Sequence, residues 1–145
     1  MKHIFLVFMI WLASSVVLAE QKKVFGNFDV HYMGLTTSEL DRDVARSYGI
    51  TRSRNKGYLM ISVNKTDEGV MPVAWNATLE AEMSNLIGQK KILEFTRIQE
   101  GSALYFYSTF DFYDANHYRF NVKVTPDGQQ RTFDVKFDQK FYRGE

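Results

Sequence analysis

Between residues 117 and 124 the chain alternates without a break. Tyr118, Phe120, Val122 and Val124 are aromatic or apolar, and His117, Arg119, Asn121 and Lys123 between them are polar. Successive side chains of an extended strand point to opposite faces, so a period of two predicts a strand with one buried and one solvated face. Burying four such side chains contributes about 1.5 to 3 kcal/mol each before conformational entropy is subtracted. Pro126, Asp127 and Gly128 follow, and then Phe133, Val135 and Phe137 resume the alternation. The pair reads as a β-hairpin closed by turn-forming residues. Farther upstream, Val73, Trp75, Ala77, Leu79, Ala81 and Met83 fall on one face, with Asn76, Thr78, Glu80 and Glu82 on the other. Read throughout in this way, the chain has strands near 24–33, 57–65, 72–83, 90–99, 103–112, 117–125 and 130–141, punctuated by "TDEG" at 66–69 and "EGS" at 100–102. About seven short antiparallel strands predict an all-β, immunoglobulin-like sandwich.

One segment breaks the period of two. In "TSELDRDVARSYGI", Ser38 is placed to cap a helix, Asp41 lies three residues on, Arg46 stands near the end, and Gly49 is where a left-handed cap belongs. The spacing predicts a short helix over 39–48, inserted after the first strand. Leu40, Val44 and Tyr48, four apart, form its buried stripe.

The first residues add a compartment. Lys2 and His3 precede an apolar run from Ile4 to Leu12, and Val17 and Ala19 then have the spacing of a signal-peptidase site. This pattern is a secretory signal peptide with cleavage after Ala19, leaving 20–145 as one domain. The apolar run is shorter than the roughly 20 residues of a membrane-spanning helix, and no second run follows it, so no membrane insertion of the mature chain is expected. Removing Lys2 brings 18 basic residues to 17, against 17 acidic. A formal charge near zero argues against nucleic acid as a partner. The absence of cysteine excludes disulfides, a lipoprotein anchor and thiol chemistry. An export product of this kind is expected to rely on its core alone.

Candidate chemistry is sparse. Asp111, Asp114, Asn116 and His117 crowd into "DFYDANHY", yet they lack the alternating oxygen ligands and sharp glycine turn of a hard-cation loop and offer no second histidine for zinc. Asp and Asn also bond nearby backbone groups, and Asp114 to Asn116 lie where two strands must reverse, so a turn is expected. Arg46, Arg52, Arg54 and Lys56 concentrate four cations after the helix. Were 52–56 a strand, the last three would share one face as an anion-binding row, or else protect a solvated edge. Tyr105, Tyr107 and Tyr113 alternate with apolar residues and either receive a partner or cover the second face of a central strand. His31 alternates with Asp29, as in a metal or acid-base pair, or simply lies on an outer face. No nucleophile elbow, zinc-protease motif or phosphate-binding glycine loop is present.

The segments "FGNFDVHY", "RDVARSYGITRSRNKG", "ISV", "NLIGQ" and "LEFTRIQEG", in that order after a signal peptide, resemble a family of uncharacterised small periplasmic proteins of Gram-negative bacteria, domain of unknown function 4426. The resemblance implies a periplasmic, single-domain protein and carries no activity or catalytic residue. The expected function is a non-catalytic binding module that recognises an acidic group on a periplasmic protein or envelope component. Its binding surface is Arg46, Arg52, Arg54 and Lys56 with Tyr48 and His31, without cofactor or bound metal. One alternative is a metal-binding protein or metal-dependent enzyme using His31 and His117, which must then meet in space. Another is a small outer-membrane barrel, against which stand the helical insert, the strand number and an ending in "FYRGE" rather than an aromatic residue.

Overall fold

The computed structural model describes residues 21–144. The expected signal peptide and its cleavage point therefore lie outside the described residues. Two antiparallel sheets pack face to face. The chain enters the first sheet as β1 (Lys22–Phe25), β2 (Phe28–Thr36), β3 (Lys56–Lys65) and the short β4 (Val73–Ala74), with α1 (Arg42–Ser47) inserted between β2 and β3. It crosses to the second sheet as β5 (Ala77–Asn85) and β6 (Lys90–Leu93), then returns to the first as β7 (Thr96–Glu100) and β8 (Ala103–Asp111). It finishes in the second sheet with β9 (Asn116–Pro126) and β10 (Phe133–Phe141). The spatial orders are β1-β2-β3-β8-β7, with β4 beside β3, and β10-β9-β5-β6. The sandwich is the expected class, although ten strands among the described residues replace about seven.

The additional strands have local causes. The first expected strand is broken at Gly26, whose φ of 61° turns the chain back so that Phe25 pairs with Phe28. The segments expected as single strands over 72–83 and 90–99 each change sheet midway, at Trp75–Asn76 and at Glu94–Phe95. A strand that bends from one sheet to the other forms a corner of a sandwich. At the first corner the Trp75 indole N–H donates to the Asp127 carbonyl (2.9 Å), and the Asn76 amide donates to the Asp127 carboxylate (2.8 Å).

The hairpin β9–β10 pairs as the alternation requires, with Val124 opposite Phe133, Val122 opposite Val135 and Phe120 opposite Phe137. Between the sheets, Phe120 stacks on Phe137 at 4.9 Å and packs against Phe110 at 5.5 Å. Phe110 meets Phe141 edge-on at 5.3 Å. Gly57 lies directly opposite Phe110 across β3 and β8. A Cβ at Gly57 would come within 2.3 Å of the Phe110 ring, so the ring occupies the volume a side chain would need.

The insert is shorter than the expected helix over 39–48. Thr37–Glu39 form a single 3-10 turn, and α1 starts only after Asp41, whose carboxylate accepts from the Asp43 and Val44 amides at 2.9 and 3.2 Å. Asp41, not Ser38, is the helix cap. With the start displaced, Ala45 becomes the buried residue of α1, and Val44 is 44% exposed. Leu40 and Tyr48 still pack inward. Gly49, with φ of 66°, ends the helix as expected. Together with Ile50, the insert covers Tyr58, Met60 and Tyr107 on the outer face of the first sheet, forming a second, smaller apolar cluster there.

Candidate functional site

The segment after α1 does not run as a strand until Lys56. Arg52 and Arg54 therefore do not form the expected row with Lys56, and β3 is a central strand of its sheet rather than an edge. Each arginine instead binds backbone. The Arg52 guanidinium donates to the Ser38 carbonyl at 2.5 Å, which holds the 3-10 turn against the following loop. Arg54 Nε donates to the Gly144 carbonyl at 2.7 Å, and the Gly144 amide donates back to the Arg54 carbonyl at 2.9 Å. Two of the expected anion ligands thus anchor the insert and the end of the described chain.

The remaining expected residues are spread out. Arg46 projects from α1 into solvent, 3.9 Å from Asp43. The Tyr48 carbonyl accepts from the Tyr107 hydroxyl at 3.2 Å, which fastens the end of the helix to β8. His31 lies on the outer face of the first sheet beside Ser62, Asn64 and Tyr105. His117 lies on the outer face of the second sheet, paired with Lys140. The two histidines needed by the metal reading are on opposite outsides of the sandwich. Among the described residues, no three groups from His, Cys, Asp and Glu come together as a metal site.

The corner in "DFYDANHY" is a turn, as expected. Ala115 adopts φ of 58°, the Asn116 amide donates to the Tyr113 carbonyl, and the Asp114 carboxylate accepts from the Arg143 amide at 2.7 Å. The tyrosines divide. Tyr107 is half-buried and stacked on Tyr58 at 5.5 Å, Tyr105 is half-buried, and Tyr113 is exposed. Burial, and secondarily the neighbouring Tyr107, push the Tyr58 hydroxyl above its ordinary value of 10.0.

What the fold brings together is a cleft of about 430 Å³ between the end of the insert and β6. Gly49, Ile50 and Thr51 form one wall, and residues 91–94 form the other. Its floor is β8 at Tyr107, Ser108 and Thr109. Lys56 enters from β3, where it also pairs with Asp111 at 3.3 Å, and Lys91 enters from β6 in the other sheet. Glu94 is the acidic residue of the lining, and Thr51, Thr96, Ser108 and Thr109 supply hydroxyl-bearing side chains. Two cations, one carboxylate and several neutral hydrogen-bonding groups make a site suited to a carboxylate or other oxyanion.

Of these groups, sequence reasoning named only Lys56. Lys91 was read as part of one strand over 90–99, and the bend at Glu94–Phe95 that swings it toward the cleft has no turn residue to announce it.

The family model for DUF4426, a domain of unknown function, matches residues 22–144. The chain belongs to the DUF4426 family. A solved DUF4426 protein from Pseudomonas aeruginosa is 28% identical, with a TM-score of 0.72 over 87% of this chain and 97% of that one. FetP of uropathogenic Escherichia coli has the same sandwich at 11% identity in a copper-bound variant, with a TM-score of 0.62 over 88% of this chain and 92% of that one. In its as-isolated form, produced in the periplasm, FetP is 10% identical, with a TM-score of 0.61 over 87% of this chain and 95% of that one. No curated protein matches the chain. At such identities FetP shares the fold alone. Among the described residues of this DUF4426 protein, no helix is long and apolar enough to cross a membrane.

Proposed function

We propose that this DUF4426 protein is an exported, non-catalytic binding module, directed to the periplasm by residues 1–19 and cleaved after Ala19. It recognises an acidic group on a periplasmic protein or envelope component. The observation that supports this reading is the convergence of Lys56 and Lys91, from different sheets, on one polar cleft. Lys56 is partly buried and pairs with Asp111, Lys91 is exposed, and an ammonium group with three donors keeps some of them for a further anion. Arg52 ties the insert to the loop that follows it, and Arg54 ties that loop to Gly144. The metal-binding alternative draws on the fold shared with copper-bound FetP, but His31 and His117 give it no common site.

A photo-crosslinking amino acid at Thr51, in cells exporting the full-length sequence, tests the assignment. A discrete adduct is expected with otherwise native protein, and its loss is expected in the Lys56→Glu/Lys91→Glu variant. An adduct of equal yield in that variant would show that the cleft lysines are not the recognition site.

A further inference from the structure

Along β8, pairing with β7 runs from Ala103 only as far as Tyr107, because β7 begins at Thr96 and the preceding residues bend away into the other sheet. On its opposite side β8 stays paired with β3 as far as Asp111. Main-chain N–H and C=O groups of an antiparallel strand point alternately to its two neighbours. The Phe112 amide donates toward β3, to the Asn55 carbonyl at 3.1 Å, so Phe110 and Ser108 face β3 as well. By the same alternation Thr109 and Asp111 face the side that β7 has left, where no strand pairs with them among the described residues. Thr109, the first residue of that open edge, lies on the floor of the cleft between Thr51 and Lys91, and Asp111 continues the edge beyond it.

We infer that the cleft takes an extended acidic segment of a partner polypeptide, which adds to β8 as a strand in the place vacated by β7. Unpaired strand edges are templates for such addition, with main-chain hydrogen bonds supplying affinity and alternate side chains supplying selectivity. Thr109 and Asp111 provide the main-chain donors and acceptors. Side chains of the added strand would alternate between the Thr51 and Lys56 side and the Lys91 side. Carboxylates are the complementary choice at both, since Lys91 lines one side and Lys56, which also pairs with Asp111 at 3.3 Å, lines the other. This inference rests on the acidic-group reading above and narrows its ligand to a polypeptide backbone.

The test uses isotope-labelled protein recovered from the periplasm of cells expressing the full-length sequence. The probes are a capped octapeptide alternating aspartate and threonine, two versions N-methylated at one or the other alternate set of residues, and succinate, all at millimolar concentration. The expected result is that the octapeptide slows hydrogen exchange at the Thr109 and Asp111 amides by about tenfold. One N-methylated version is expected to lose binding and the other to keep it, and Lys56→Glu/Lys91→Glu to weaken binding about tenfold or more. Lysine-dependent binding in which both N-methylated versions bind equally and the two amides exchange as in the free protein would overturn strand addition while leaving the acidic-group reading intact. If neither octapeptide nor succinate perturbs the cleft, both fall.

Discussion

Tyr58 shows how one residue can be tied to the fold by its proton. Its ring is 7% exposed beneath the insert, and burial raises its pKa above 10.0. The folded protein therefore holds the phenolic proton more tightly than the unfolded chain. Below the ordinary value both states are protonated and the stability linked to this group is fully present; as pH rises past it, the unfolded chain ionises first and stability falls. Melting temperatures between about pH 9 and 11.5 should decline more steeply for the native protein than for Tyr58→Phe. Parallel curves would mean that Tyr58 is not buried as described. The sequence placed this residue in a strand near 57–65, within the continuous apolar run Tyr58 to Ile61. That its outward face is covered depends on Ala45 and Ile50, which come from a segment with its own period.

At the scale of elements, the insert is the part whose position the sequence described least well. The stop at Gly49 was visible, but the sequence pointed to a cap at Ser38, and Asp41 takes that role because its carboxylate reaches two free amides of the first turn. That shift of register moves Ala45 to the centre of contact, at 2% exposure. Ala45→Glu would bury an unpartnered carboxylate and should destabilise the insert by about 2–4 kcal/mol. The expected signature is faster amide exchange over 37–53 with the exchange of β9 unchanged. An undisturbed insert would show that the helix is not held through Ala45.

For the whole molecule, protection from exchange should follow strand position. β3 is flanked by β2 and β8, and β9 by β10 and β5, with core side chains such as Leu59, Ile61, Val122 and Val124 wholly buried. Amides of β3 and β9 should therefore exchange slowest, and those of the edge strands β1, β6, β7 and β10 faster, in native-state measurements. Slow exchange in β6 or β7 would require a covering strand that is absent among the described residues. The sequence by itself determined the class of fold, the buried faces of β5, β9 and β10, the hairpin β9–β10 and the turn at Asp114–Ala115, because each rests on a period of two or on turn chemistry within a few residues. It also marked Lys56 and the basic run. Only the tertiary structure decided that the expected strands over 72–83 and 90–99 each serve two sheets, since alternation continues through a bend that the neighbouring sheet imposes. The same bend at Glu94–Phe95 places Lys91 in one cleft with Lys56 and leaves Thr109 and Asp111 unpaired on that side among the described residues. The cleft is made by residues distant in the chain, and local patterning holds no record of where such residues meet.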